Sequence, residues 1–342
     1  MPLVPMKQLL EEAMKGNYAV GAFNVNNMEQ IQAIMGAAAQ TRSPVVIQAS
    51  RGALQYTNLV YLKHLMMAAV EDNPDIPAAL HLDRGNSLET CQTAIELGFT
   101  SVMIDGSLEA DGKTVASYEY NVEVTQKVVQ YAHQHGLTVE AELGTLGGIE
   151  DGHGSGQVHL TDPDQAEEFV RLTGCDCLAV AIGTSHGAYK SLNIGPDGAV
   201  LPPTLAIDRI VEIHKRMPRV PLVMHGSSSV PQELIAQINQ YGGRMKQAYG
   251  IPMEQIQQGI RHGVRKINVD TDGRLALTAA IRRVFAEKPE EFDPRKYLGP
   301  AREALQEIIA GKMRDFGQAG HAGDFAAATL DDMKRLYQAA PA

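Results

Sequence analysis

Two histidines and several acids stand where apolar runs of this chain end abruptly, and such side chains can hold a metal and move protons. The runs cover residues 19–27, 44–50, 77–83, 101–107, 138–144, 177–183, 221–226 and 264–271. At or just past their ends lie Ser50, Asp83, Asp105, Glu142, His186, His225, Asn268 and Asp270. Zinc favours imidazole and carboxylate ligands, and a catalytic zinc keeps three protein ligands and one open position. A lone histidine at such a place is more often structural. His186 and His225 follow neighbouring runs, with Asp105 and Glu142 at equivalent positions, so together they form a candidate metal centre.

A second chemistry is written in small polar residues. GTSHGAYK (183–190), HGSSS (225–229) and NVDT (268–271) bring glycine, serine and threonine to the ends of three runs. Such residues let backbone N–H groups approach an anion closely, and Lys190 adds positive charge. A phosphate or a polyol is the ligand these motifs suit.

Residues so scattered meet only if the runs are strands of one sheet. Each run is rich in Val, Ile, Leu and Ala on both faces, as expected of parallel strands covered by helices. Helical patterns fill the intervals at 28–42, 87–98, 118–136, 162–174 and 206–217. The pattern predicts an α/β (β/α)8 TIM barrel, with all eight strand ends round one mouth. An extra helix is expected at 252–262, before the eighth strand, and another at 294–316. The chain reads as one domain, 1–342, with a C-terminal helical extension from about 288 to 342. Two glycine-rich loops, 144–159 and 183–198, are longer than connectors and suit lids or binding loops.

Bulk properties exclude some classes. The chain has 342 residues, 44% hydrophobic and 20% charged, with a net charge of −10. That balance fits a soluble globular protein and argues against non-specific nucleic-acid binding, which needs a basic surface. No run is long enough to span a bilayer, and the first residues lack a secretion-signal core. Cys91, Cys175 and Cys177 have no zinc-ligand spacing and fit reduced, buried thiols. A cytoplasmic protein is expected.

Nine segments, taken in order, resemble class II fructose-bisphosphate aldolases of the Calvin-cycle and related bacterial branch. They are AFNVNN (22–27), QAS (48–50), HLD (81–83), SVMIDGS (101–107), VEAELG (139–144), AIGTSHGAYK (181–190), LVMHGSSSVP (222–231), KINVDTD (266–272) and FDPRKYLGPAREA (292–304). The resemblance implies a barrel lyase that cleaves fructose 1,6-bisphosphate reversibly to dihydroxyacetone phosphate and glyceraldehyde 3-phosphate, in glycolysis, gluconeogenesis or the Calvin cycle. It implies a catalytic zinc on His186 and His225, and an alternative or second metal site at Asp105 and Glu142. A monovalent cation is compatible with it. Asp83 matches the acid that serves the C4 hydroxyl, and Glu150 matches a loop glutamate that moves a proton on dihydroxyacetone phosphate. Ser50, Gly187, Lys190, Gly226, Ser227, Ser228, Asn268, Val269, Asp270 and Thr271 match phosphate and hydroxyl contacts. Arg274 resembles a basic residue reaching the far phosphate in a neighbouring subunit of a homodimer or homotetramer.

One position departs from the pattern. Where the family has a third metal-binding histidine after the catalytic acid, this chain reads HLDRG, with Arg84. A guanidinium offers no lone pair and stays charged. His81, three residues back, is expected on the other face of the pleat. His153 and His159, on the first glycine-rich loop, are the other candidates to compensate. Arg84 therefore implies weakened metal binding and turnover. It also keeps open a non-catalytic sugar-phosphate binder. A tagatose-bisphosphate aldolase would share the same metal chemistry.

Overall fold

The structure is a computed structural model that describes residues 3–145, 159–185, 187, 193–194, 200–325 and 328–339. Its strands are β1 (Val20–Asn24), β2 (Val45–Ser50), β3 (Ala78–Gly85), β4 (Ser101–Ile104), β5 (Thr138–Leu143), β6 (Cys177–Val180), β7 (Asn193–Ile194), β8 (Val200–Leu201), β9 (Leu222–Met224) and β10 (Val264–Val269). Eight of them close into a barrel in the order β1-β10-β9-β6-β5-β4-β3-β2, every pairing parallel. β7 and β8 form a separate antiparallel pair. The eight apolar runs are these eight barrel strands.

Alternation along each strand sorts side chains into an outer and an inner set. Outward residues such as Ile47, Leu80, Val139, Leu178, Ile267 and Val269 join one core with the surrounding helices. Inward residues build layers, as a filled barrel requires. The lowest layer holds small apolar groups, among them Val20, Ala22, Val46, Ala79, Cys177, Ala179 and Val223. The N-terminal helix, Met6–Gly16, plugs this end with Met6, Leu9, Leu10 and Ala13. Fully burying each larger apolar side chain there contributes about 1.5–3 kcal/mol. Chemistry is thereby confined to the opposite end.

Helix starts follow the strand ends because the corner residues are caps. Asn27 accepts from Gln30 N to start Met28–Thr41, and Ser87 accepts from Thr90 N to start Leu88–Glu96. Asp162 caps Pro163–Thr173, and Gly174, at φ 69°, ends it in the left-handed region. The expected extra helices are present at Met253–Arg261 and Pro294–Asp315. The latter packs against both Met28–Thr41 and Thr271–Glu287, bridging the first and last units of the barrel. All three cysteines are buried and free. Among the described residues, no helix is long and apolar enough to cross a membrane.

Candidate functional site

Above the apolar floor the inward positions turn polar. Gln48, His81, Glu140 and Lys266 form a buried middle layer, with Asn24, Ser50, Asp83, Glu142, His225 and Asn268 above it. Each upper residue on β2, β3, β5 and β10 stands two positions beyond a middle one, so strand parity aims both into the barrel.

Lys266 and Glu140 anchor the middle layer. Lys266 Nζ lies 2.9 Å from Glu140 Oε2 and donates to Asn268 Oδ1 at 2.7 Å. Glu140 Oε1 is 2.7 Å from His225 Nε2, and Glu140 Oε2 is 3.4 Å from His81 Nε2. Burial alone would raise the Glu140 carboxyl, but Lys266, the His225 hydrogen bond and His81 hold it far below the usual carboxylate range. Burial, then the Lys266 charge, depress His81 to about 3, so its ring is neutral. His81 Nδ1 meets Ser101 Oγ at 2.9 Å.

Asp83 is held by two amides. Asn24 Nδ2 donates to Oδ2 at 3.0 Å, and Asn268 Nδ2 approaches Oδ1 at 3.5 Å. Gln48 Nε2 in turn fixes Asn24 Oδ1 at 2.6 Å. Burial pushes the Asp83 carboxyl up, yet Arg84, His225, Lys266 and the Asn24 bond together bring it below its ordinary value. Asp83 is therefore a carboxylate at neutral pH. Glu142 goes the other way. Burial and the neighbouring charge of Asp105 raise it well above the usual range, with Glu140 and Asp83 adding to this and Arg84 opposing it.

Arg84 enters this acid cluster through a break in the ladder. The β3–β4 register shifts between Leu82 and Gly85, and Arg84 adopts φ 59°, a left-handed conformation uncommon outside glycine. The bulge undoes simple alternation, so Asp83 and Arg84 are both buried and the guanidinium charge bears on Asp83 and Glu142. Parity from Arg84 therefore misplaced His81, which faces into the barrel beside Glu140 rather than away from the site.

A divalent cation finds two fitting donors among the described residues. With Nε2 engaged by Glu140, the His225 ring turns Nδ1 toward Glu142 Oε2, 3.4 Å away. A carboxylate behind a ligating imidazole is the usual outer support of a metal site. Among the described residues no group of three His, Cys, Asp or Glu side chains is arranged to hold a metal ion. His186, Glu150, Lys190 and His153 lie outside the described residues, as do most of both glycine-rich loops. The base of the first loop is closed by a Thr145–His159 bridge.

The remaining expected contacts divide into two groups. Gly226, at φ 59°, lies so close to Ser185 that a Cβ would stand 2.4 Å from its carbonyl oxygen. Ser227 and Ser228 follow it, both buried, and their N–H groups bond to none of the described residues. Two successive N–H groups of this kind suit an anion. Asp270 N approaches Ser228 Oγ at 3.4 Å, and Thr271 begins the following helix. Gly187 is at φ 78°. Three positions are otherwise engaged. Val269 points outward into the helix-facing core and can offer only its backbone. Ser50 Oγ caps Arg51–Thr57 by accepting from Ala53 N. Arg274 forms a two-point pair with Asp270, at 2.9 Å and 2.5 Å. Asp105 Oδ1 accepts from Ser107 N and Oγ at 3.1 and 2.6 Å.

Comparison with known proteins gives the family. Residues 4–321 match the family model for fructose-bisphosphate aldolase class-II. The chain belongs to that family. It is 54% identical to a fructose-bisphosphate aldolase of Nostoc commune, over 98% of this chain and 96% of that one. It is 53% identical to the one of Giardia intestinalis, over 99% of this chain and all of that one. Among solved structures, the YdjI aldolase of Escherichia coli K12 superposes with a TM-score of 0.73 at 29% identity, covering 94% of this chain and 99% of that one.

Proposed function

We propose that this protein is a metal-assisted lyase that reversibly cleaves fructose 1,6-bisphosphate into dihydroxyacetone phosphate and glyceraldehyde 3-phosphate. The observation that carries the reading is the juxtaposition of an amide-held, ionised Asp83 with the His225–Glu142 pair at one barrel mouth. The full-length likeness to named fructose-bisphosphate aldolases supplies the substrate. Asp83 accepts the C4 hydroxyl proton as the C3–C4 bond breaks, and returns it in condensation. Asn24 and Asn268 orient the carboxylate, and Ser227 and Ser228 hold one phosphate through their N–H groups. Glu150 handles the proton on the dihydroxyacetone phosphate half, and Lys190 helps with phosphate. Gly187, Asp270 and Thr271 complete the hydroxyl contacts.

His225 and Glu142 would hold the cation, with His186 as the further ligand and Asp105 as a second-site acid. Bound there, zinc supplies Lewis acidity toward the ketose oxygens. Arg84 cannot ligate, and its charge competes with a cation for the same acids. The buried position of Arg84 favours a second reading, a sugar-phosphate binder with little turnover. Release of triose phosphate from fructose 1,6-bisphosphate, measured with and without zinc, separates the two. The same assay on the tagatose epimer tests stereochemical preference. A homodimer or homotetramer in the cytoplasm, with Arg274 reaching a neighbour's substrate, completes the proposal.

A further inference from the structure

Behind the serine loop lies a buried charge pair that the aldol chemistry does not use. Asp272, the second residue of the Thr271–Glu287 helix, is fully buried. Its Oδ2 accepts from Ser229 N at 2.9 Å and from Ser229 Oγ at 3.1 Å, and its Oδ1 accepts from Val230 N at 2.8 Å. Lys312, also buried, reaches in from the Pro294–Asp315 helix. Its Nζ lies 2.9 Å from Asp272 Oδ2 and donates to Ser229 Oγ at 2.5 Å.

What this pair holds is a strained corner. Val230 sits at φ 50°, a conformation that β-branched residues avoid. A conformation of that kind persists only where its surroundings over-determine it. Here two consecutive N–H groups, of Ser229 and Val230, are fixed on one carboxylate. From the other side, Gly250 packs so closely that a Cβ would lie 2.2 Å from Ser228 O, which accepts from Ile251 N at 3.1 Å. With 229 and 230 pinned, the N–H groups of Ser227 and Ser228 keep one orientation. A buried ion pair adds little stability over an apolar replacement, so its use here is geometric.

We propose that Asp272 and Lys312 form a clamp that preorganises the 227–229 loop for phosphate, making Lys312 a positioning residue supplied by the C-terminal helix. The proposal rests on the sugar-phosphate reading of the mouth. Its test compares the wild type with Lys312→Arg and with Asp272→Asn/Lys312→Met, which leaves no uncompensated buried charge. Inorganic phosphate binding is measured by calorimetry, steady-state cleavage of fructose 1,6-bisphosphate by coupled assay, and folding by thermal melting. The double variant is expected to melt cooperatively, to bind phosphate about tenfold more weakly and to show KM raised by a similar factor, with kcat changed far less. Lys312→Arg, which keeps the charge, should retain most of the wild-type affinity. Equal phosphate affinity in wild type and double variant overturns the clamp, as does a wild type that binds no phosphate. A joint fall of kcat and melting temperature with KM unchanged also overturns it. Turnover by the wild type tests the aldolase reading separately, because phosphate binding needs no reaction.

Discussion

Lys266 Nζ stands 2.9 Å from Glu140 Oε2 with both side chains fully buried, and this pair joins the two halves of the site. One arm runs through Glu140 to His225, the other through Asn268 to Asp83. Replacing Lys266 with Met leaves the buried Glu140 carboxylate without its ammonium partner. Loss of one partner from such a pair costs about 3–5 kcal/mol. Lys266→Met should therefore lower stability in urea by that order, and Glu140→Gln/Lys266→Met should recover most of it. Strictly additive losses in the double variant would contradict the pairing.

Asp83 offers a cleaner catalytic test. Asn at this position keeps the size and can still meet Asn24, but it cannot take a proton. Asp83→Asn should lower kcat by about 10²–10⁴, while fructose 1,6-bisphosphate binding measured by calorimetry stays within a few-fold. Retained turnover would remove Asp83 from the chemistry.

How far the chain could be read differs between fold and site. Eight strands were legible because apolar runs ended at capping residues such as Asn27 and Ser87, and parallel strands need both features. The upper site layer was legible because it lies at those ends. Glu140 and Lys266 were not singled out and His81 was assigned to the wrong face, although each stands two residues before a recognised mouth residue in an apolar strand. A charge at that spacing is the signal that finds the middle layer. The place of Arg84 was not legible, since a bulge between Leu82 and Gly85 leaves no mark in the sequence. Nor was the Asp272–Lys312 contact, whose partners lie 40 residues apart along the chain on two successive helices.

Far from the mouth, Asp176 carries a pH signature. It is buried at the barrel floor and contacts Lys7 at 2.9 Å, His133 at 3.0 Å and Tyr337 at 3.0 Å. Burial raises its carboxyl, but His133, Lys7 and the Val139 N–H outweigh that and leave it below the ordinary value. A depressed folded pKa gives stability present above the unfolded value and lost as pH falls through the folded one. Asp176→Asn should thus lower the melting temperature clearly at pH 7, and much less below the carboxylate range. A difference that grows toward acid pH would refute this.

Gly226 tests the shape of the serine loop. Its φ is 59°, and a methyl group at this position would come within 2.4 Å of Ser185 O, so there is no room for a side chain. Gly226→Ala should cost about 2 kcal/mol in denaturant melts from strain and displacement, and weaken phosphate binding in calorimetry. Unchanged affinity would place the anion elsewhere.

The most direct measurement is a side-by-side assay of triose phosphate release from fructose 1,6-bisphosphate by the wild type and Arg84→His across a zinc titration. The account predicts zinc-dependent release by both, with Arg84→His saturating at about tenfold or more lower zinc and turning over faster. No release from either protein at any zinc concentration would contradict it, and so would identical zinc dependence in the two.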